Sequence, residues 1–435
     1  MPVNWRTRLL LAAVCGVAVA SVYAGQPVLG PMGRDLGVPV DSLGWFVAVG
    51  QLGYLAGLVL LVPLGDMLDR RRLIAAHLGL VAAGMTVTAA APVAWAAFSG
   101  LAVAGVFAVA VQTTVAYTAT ISPSAERGRN LGIVTSGVVI GILGARVIAG
   151  VLADVWGWRS VYLALAIAAA VLALLTLALL PADARPDTAA RYGQVLRSFG
   201  GLFGRPVFLG RGLITFFLFA SFGTLWSGMV LPLADAPWHL SETQIGLFGV
   251  AGLAGALGAA RAGRWGDAGH ARRVTGLALA LLLASWAAIG QLTWSLPLLV
   301  LGVIVLDFAV QAVHVSNQHT LTAAYPGRTS TTIGAYMVFY SLGSALGAAA
   351  TTAVFDAAGW AGPTVLGAAL ALCALTIWAF SARPADDAAV EAPSSPPPPG
   401  PDPASPSVCA AGGRQTWRAD APGPAVSCGA APDRV

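Results

Sequence analysis

Long apolar runs, each near the thickness of a bilayer, alternate with short polar turns between residues 8 and 381. A helix rising 1.5 Å per residue needs about 20 apolar residues to cross the hydrocarbon core. On that criterion the chain is predicted to carry twelve spans, at 8–30, 43–64, 73–92, 95–121, 131–152, 159–181, 209–232, 243–261, 273–291, 296–323, 330–354 and 360–381. An even number returns both ends to the same side. The first run resembles a secretory leader, with Arg6 and Arg8 ahead of it and Ala24 near its end. Its removal would leave an odd number of spans, so it is read as an uncleaved helix.

Two stretches depart from this pattern. Residues 182–208 are polar, carry Arg185, Arg191, Arg197 and Arg205, and are punctuated by Pro186 and Pro206. They read as a cytoplasmic linker lying on the anionic membrane face. Beyond Arg383 large apolar residues nearly vanish and prolines run from Pro396 to Pro399, a composition that cannot bury enough surface to fold. The expected organisation is a six-helix lobe over 1–181, the linker over 182–208, a second six-helix lobe over 209–382 and a disordered proline-rich cytoplasmic tail over 383–435.

Composition and charge fit this frame. The chain is 57% hydrophobic and 10% charged, against about 25% charged in soluble domains, so lipid must be its main solvent. Its 52 glycines allow close helix contacts where small residues drive association. All 24 basic residues are arginine; 21 fall in loops and tails on the side of the termini, only Arg34 and Arg159 fall on the other, and Arg146 lies within a span. That bias places both termini in the cytoplasm of a multi-pass protein of the cell (inner or plasma) membrane. It also accounts for the net charge of +5 without nucleic acid. Cys15, Cys373, Cys409 and Cys428 show no metal-ligand spacing and are expected as free thiols.

The two lobes repeat one another. Asp66, Arg71 and Arg72 recur 201 positions later as Asp267, Arg272 and Arg273. Asp154-Val-Trp-Gly157-Trp158 recurs as Asp356-Ala-Ala-Gly359-Trp360, Gln112 recurs as Gln311, and Gly144 as Gly343. Parallel repeats of a helical bundle are how two-lobed transporters are built. Asp66 at a helix end can accept hydrogen bonds from a neighbouring helix N-terminus or pair with an arginine, a contact that breaks when the lobes rock.

With these motifs the chain, over residues 5 to 382, resembles the major facilitator superfamily, in particular its bacterial drug and sugar efflux branch. That family's loop after the second span reads Gly-x-x-x-Asp-Arg-x-Gly-Arg-Arg. Here Asp66 and Arg70, Arg71 and Arg72 match, while Val62, Met67 and Asp69 replace the first glycine, an arginine and the second glycine. Gly137, Gly141 and Gly144, followed by Ala145 where the family has proline, resemble the antiporter signature of the fifth span. They are expected to bring two backbones together at the lobe interface. The arginine that the family carries in the fourth span is absent, since residues 95–121 hold no charge. The resemblance implies an all-α membrane fold of twelve helices in two pseudo-symmetric lobes, with the fifth and tenth helices bordering a central cavity.

An ion inside a membrane helix is costly unless it meets a partner or a wet cavity. Arg146 and Asp307 are the two such ions recognised here; counted from their span ends they lie about 10 and about 16 Å below the outer face. A close Arg146 would hold Asp307 charged or bind an anionic substrate group, whereas a remote one would leave Asp307 free to exchange protons. Asp307, Gln311, His314 and Gln318 form one stripe at i, i+4, i+7 and i+11. Gln112, Thr113 and Tyr117 form a weaker stripe with Thr120, and Tyr23 and Gln26 stand before Pro27. Trp226 and Ser227 occupy the comparable place in the seventh span.

The expected function is secondary active export of small molecules by alternating access, energised by the proton gradient and needing no cofactor. The partners are a small-molecule substrate and the bilayer, and a monomer is expected. The alternatives are an importer, symporter or uniporter in the same fold, or a non-transporting receptor or scaffold. An enzyme is the least favoured, since the sequence shows no nucleophile with its base, metal cluster or nucleotide loop.

Overall fold

In the computed structural model the described residues are 4–123, 126–182, 200–265, 271–325 and 329–381. Asp267, most of the 182–208 linker, the tail beyond 381 and the side chain of Asp66 therefore lie outside the description.

Among the described residues the α-helices are α1 (Trp5–Tyr23), α2 (Leu29–Leu36), α3 (Trp45–Leu60), α4 (Arg70–Ala89), α5 (Ala94–Phe107), α6 (Ala110–Ile121), α7 (Arg127–Trp156), α8 (Trp158–Leu179), α9 (Pro206–Gly228), α10 (Val230–Ala234), α11 (Glu242–Trp265), α12 (Ala271–Ile289), α13 (Leu296–Ala324), α14 (Thr329–Ala358) and α15 (Ala361–Phe380). Eleven described segments are long and apolar enough to cross a membrane. With the 24-residue α11 they make twelve spans in two lobes.

Three spans predicted as single helices are jointed. The first breaks between α1 and α2 through a 3-10 turn at Gln26–Val28, where Pro27 supplies no amide proton. The fourth divides between α5 and α6, and the seventh between α9 and α10.

The end of the bundle carrying Trp5 and Phe380 is here the terminal face, and the end carrying the α7–α8 and α14–α15 turns is the distal face. Those two turns show the repeat in three dimensions. Gly157 and Gly359 both adopt positive φ, at 78° and 57°, a region that glycine enters without steric cost. The tryptophans after them anchor the turns, Trp158 donating to Asp35 Oδ2 at 3.1 Å and Trp360 to the Ile289 carbonyl at 3.0 Å.

Within the lobes, α1 packs on α7 as α9 packs on α14; across them, α7 packs on α11 as α3 packs on α14. The glycine expectation needs correction here. Gly137 and Gly141 face Ala12 and Gly16 of α1 inside one lobe, and Gly144 meets only the side chain of Ile140. Gly343, by contrast, lies against Phe216 of α9, the place that Gly141 holds in the first lobe. The structural partner of Gly343 is therefore Gly141 rather than Gly144. The glycines that join the lobes are Gly150, Gly246 and Gly249 between α7 and α11, and Gly44 against Ala348.

All of these cross-lobe glycine contacts lie in the distal half, where polar contacts reinforce them. Asp154 at the end of α7 accepts from the Ser241 hydroxyl at 2.8 Å and from the backbone amides of Glu242 and Thr243 at 3.0 and 2.9 Å. A carboxylate at a helix N-terminus meets unsatisfied amides and the positive end of the helix dipole. On the pseudo-symmetric side Thr352 takes this part, accepting from the Gly44 amide at 3.1 Å and donating to the Asp41 carbonyl at 2.9 Å. Toward the terminal face the lobes enclose a cavity of about 440 Å³ that reaches Gly132, little more than one turn from the start of α7.

Candidate functional site

Arg146 in α7 and Asp307 in α13 are both 1% exposed. Neither Nη atom of Arg146, nor Oδ2 of Asp307, nor Nε1 of Trp226 has a hydrogen-bond partner among the described residues. The three side chains form one cluster, called the stack below after its Arg146–Trp226 pair. The Arg146 guanidinium carbon lies 3.7 Å from the centroid of the Trp226 indole, a cation–π geometry. A Cβ added at Gly252 would stand 2.9 Å from the indole edge and 3.1 Å from Asp307 Oδ2, so ring and carboxylate converge on one glycine of α11. Arg146 also passes the rings of Phe222 at 5.6 Å and Tyr23 at 5.8 Å. Its Nε donates to Gln26 Oε1 at 2.8 Å, and Gln26 in turn reaches Ser227 Oγ at 3.5 Å. A cation rooted in the first lobe is thus held largely by aromatic groups of the second.

The stack stands just beyond the cavity. Tyr23 and Tyr340, joined hydroxyl to hydroxyl across the lobes, line the cavity together with Phe219. Gln51, Gln112, Gln311 and Gln318 also line it. Gln112 donates to the Tyr54 hydroxyl at 3.1 Å. His314 lines the same wall, and both its ring nitrogens are engaged. With the Gln318 amide donating to Nε2 at 3.0 Å, Nδ1 carries the ring proton and donates to Tyr336 at 3.0 Å.

The structure therefore brings Gln112, Gln311 and His314 into one cavity and Gln26, Arg146 and Asp307 into the stack behind it. It separates Thr113 and Tyr117 from both. Thr113 bonds its own helix at the Val109 carbonyl, and Tyr117 donates to Pro181 within the first lobe. Sequence reasoning passed over Gln51, an amide in an otherwise apolar span whose signal was available. It also counted Arg211 among the loop arginines. That residue is 5% exposed within α9 and donates to Asn317 Oδ1 at 3.0 Å.

Such a cavity between two repeats, sealed at one end, is the architecture of a transporter. The profile of the Major Facilitator Superfamily matches the sequence twice, over residues 9–234 and 213–419. The chain belongs to the Major Facilitator Superfamily. Among its relatives, the uncharacterized transporter YgaY of Escherichia coli is 39% identical over 374 residues, spanning 85% of this chain and 94% of the relative. Multidrug resistance protein Stp of Mycobacterium tuberculosis matches more locally, 30% identical over 36% of this chain and 30% of its own. Among solved structures, the nucleoside transporter NupG superposes with a TM-score of 0.71 at 14% identity, covering 86% of this chain and 98% of the other.

The repeated loop arginines of this superfamily member act within their own lobes. Arg71 donates to the Leu177 carbonyl at the end of α8. Arg272 donates to the Trp378 carbonyl at the end of α15 at 3.3 Å and stacks on the Trp378 ring at 5.1 Å. Leu177 and Trp378 are themselves 201 positions apart, so donor and acceptor were duplicated together. Cations at helix C-termini satisfy carbonyls that the helix leaves open. Arg70 donates to Thr120 at 3.0 Å, Arg72 lies 3.7 Å from Asp69, and Arg273 is exposed.

Proposed function

We propose that this multi-pass membrane transporter is a proton-coupled exporter of small molecules, with Asp307 as the coupling carboxylate and Arg146 as its mobile counter-charge. The observation that carries this reading is the Arg146–Trp226–Asp307 cluster, two buried ions from opposite lobes that share one indole, Arg146 over its face and Asp307 by its edge. The excess of arginines at the terminal face makes that face cytoplasmic, so the cavity described is the state that loads from the cytoplasm. In it the Arg146 charge offsets a carboxylate at Asp307. When the lobes rock and the distal face parts, α7 carries Arg146 away from Trp226, and a carboxylate left alone in hydrocarbon takes up a proton. Closing the distal face again returns the guanidinium and drives that proton into the cytoplasm. Cargo leaving and proton entering thus alternate at one site. The local match to a multidrug resistance protein supports efflux as the direction.

The test is flux in sealed vesicles with an imposed pH gradient, using a compound to which expression of the chain confers resistance. Asp307→Asn is expected to abolish gradient-driven flux while the purified protein stays monodisperse. Full activity in that variant eliminates Asp307 as the coupling group.

A further inference from the structure

The cavity itself carries no Asp, Glu, Lys or Arg among its described lining residues. Its polar groups are amides, hydroxyls and one imidazole, and its aromatic residues besides the imidazole are Tyr23, Tyr54, Phe219 and Tyr340. Neither Arg146 nor Asp307 lines it, and the Arg146 guanidinium lies 5.8 Å from the ring of Tyr23, which does. Within this ring of groups Gln51 stands out. It is 0% exposed and lines the cavity, and no hydrogen bond of normal length and angle engages its Nε2 or Oε1, the Tyr23 hydroxyl making only a looser polar contact with the amide. A buried amide that lacks well-formed hydrogen bonds is costly, and a partner that satisfies it gains by doing so. A ligand offering one donor and one acceptor on a flat edge would use both ends together. A charged cargo would lie in this apolar enclosure without an opposite charge, whereas a ring system can stack on the aromatic faces.

We infer that the cavity is a binding site for an uncharged, planar aromatic or heteroaromatic molecule whose adjacent hydrogen-bond donor and acceptor are read by the Gln51 amide. This rests on the transporter reading and narrows its substrate class. The proton and the cargo then occupy separate places, Asp307 and the cavity, and no carboxylate has to serve both.

Three tricyclic fluorophores differing in charge test it: neutral phenanthridin-6(5H)-one, a lactam whose N–H and carbonyl are adjacent on one edge; its 2-carboxylate, an anion; and proflavine, a cation. Equilibrium binding to the purified full chain is followed by fluorescence polarisation, without any gradient. Saturable binding of the lactam is expected, with its carboxylate and proflavine at least tenfold weaker. Gln51→Leu is nearly isosteric, removes a buried amide and should keep or raise the melting temperature while weakening the lactam at least tenfold. Gln51→Glu should weaken the lactam and gain proflavine binding, because it places a carboxylate in the cavity. The proposal is overturned if either ion binds as well as the lactam, if the lactam fails to saturate, or if Gln51→Leu binds the lactam as the native chain does. Because no gradient enters the measurement, its failure leaves the Asp307 flux test standing, and failure of the flux test leaves this one standing.

Discussion

Arg146 and Asp307 meet the same indole from opposite lobes: the guanidinium lies 3.7 Å from the Trp226 centroid, and the carboxylate shares Gly252 with its edge. Each buried charge feels the other's field, and both are positioned against one side chain.

Replacing that side chain should change coupling more than folding. Trp226→Leu removes the cation–π surface that holds Arg146, about 1–2 kcal/mol in a desolvated site. The guanidinium then loses the group that positions it beside Asp307. Flux in vesicles is expected to lose most of its dependence on the pH gradient; unchanged gradient dependence would mean that the indole plays no part in coupling.

Arg146→Lys keeps the charge but loses the planar face and the Nε bond to Gln26. Gradient-driven flux should fall by roughly tenfold, the equivalent of about 1.4 kcal/mol, with exchange of cargo across the membrane retained. A lysine variant with native rates would show that charge alone suffices.

At the distal face Asp154 holds the N-terminus of α11 through three hydrogen bonds. Asp154→Ala removes a cap of about 1 kcal/mol, enough to raise the distal-open population roughly fivefold. The readout is the maleimide labelling rate of a cysteine at Leu231, a buried position in the core shared by the two lobes there, with the native cysteines replaced. An unaltered rate would show that the cap does not hold this face shut.

Bulk tests the same face by another route. A side chain at Gly150 collides with the Glu242 carbonyl of the other lobe, whereas Gly128 has nothing within 4 Å. Gly150→Val should speed labelling at the Leu231 cysteine and Gly128→Val should not. Equal behaviour of the two would place the lobe contact elsewhere.

The duplicated arginine caps make a prediction about stability. Arg71→Ala and Arg272→Ala each leave a helix C-terminus without its cation, worth about 0.3–1 kcal/mol at a partly exposed site. The melting temperature of the purified protein should drop by up to about one degree in each and additively in the double variant. No drop in either would reduce these arginines to markers of sidedness.

The sequence by itself determined the number of spans, the duplication and the two ions stranded in apolar helices, because each is a property of a single segment: its length, its hydropathy, a charge where none is tolerated. It also put Gln112, Gln311 and His314 on the cavity wall, since a polar stripe on a greasy helix has little else to face. What it left open was rotation and neighbourhood. A membrane helix is apolar on all sides and carries little amphipathic signal to say which way it turns, so Thr113 and Tyr117 pointed equally well into the cavity or into their own lobe. Only the tertiary structure turned Gly137 and Gly141 toward α1 and put Trp226 against both Arg146 and Asp307. Only it aimed Gln51 into the space where two lobes, 201 residues out of phase, close on each other.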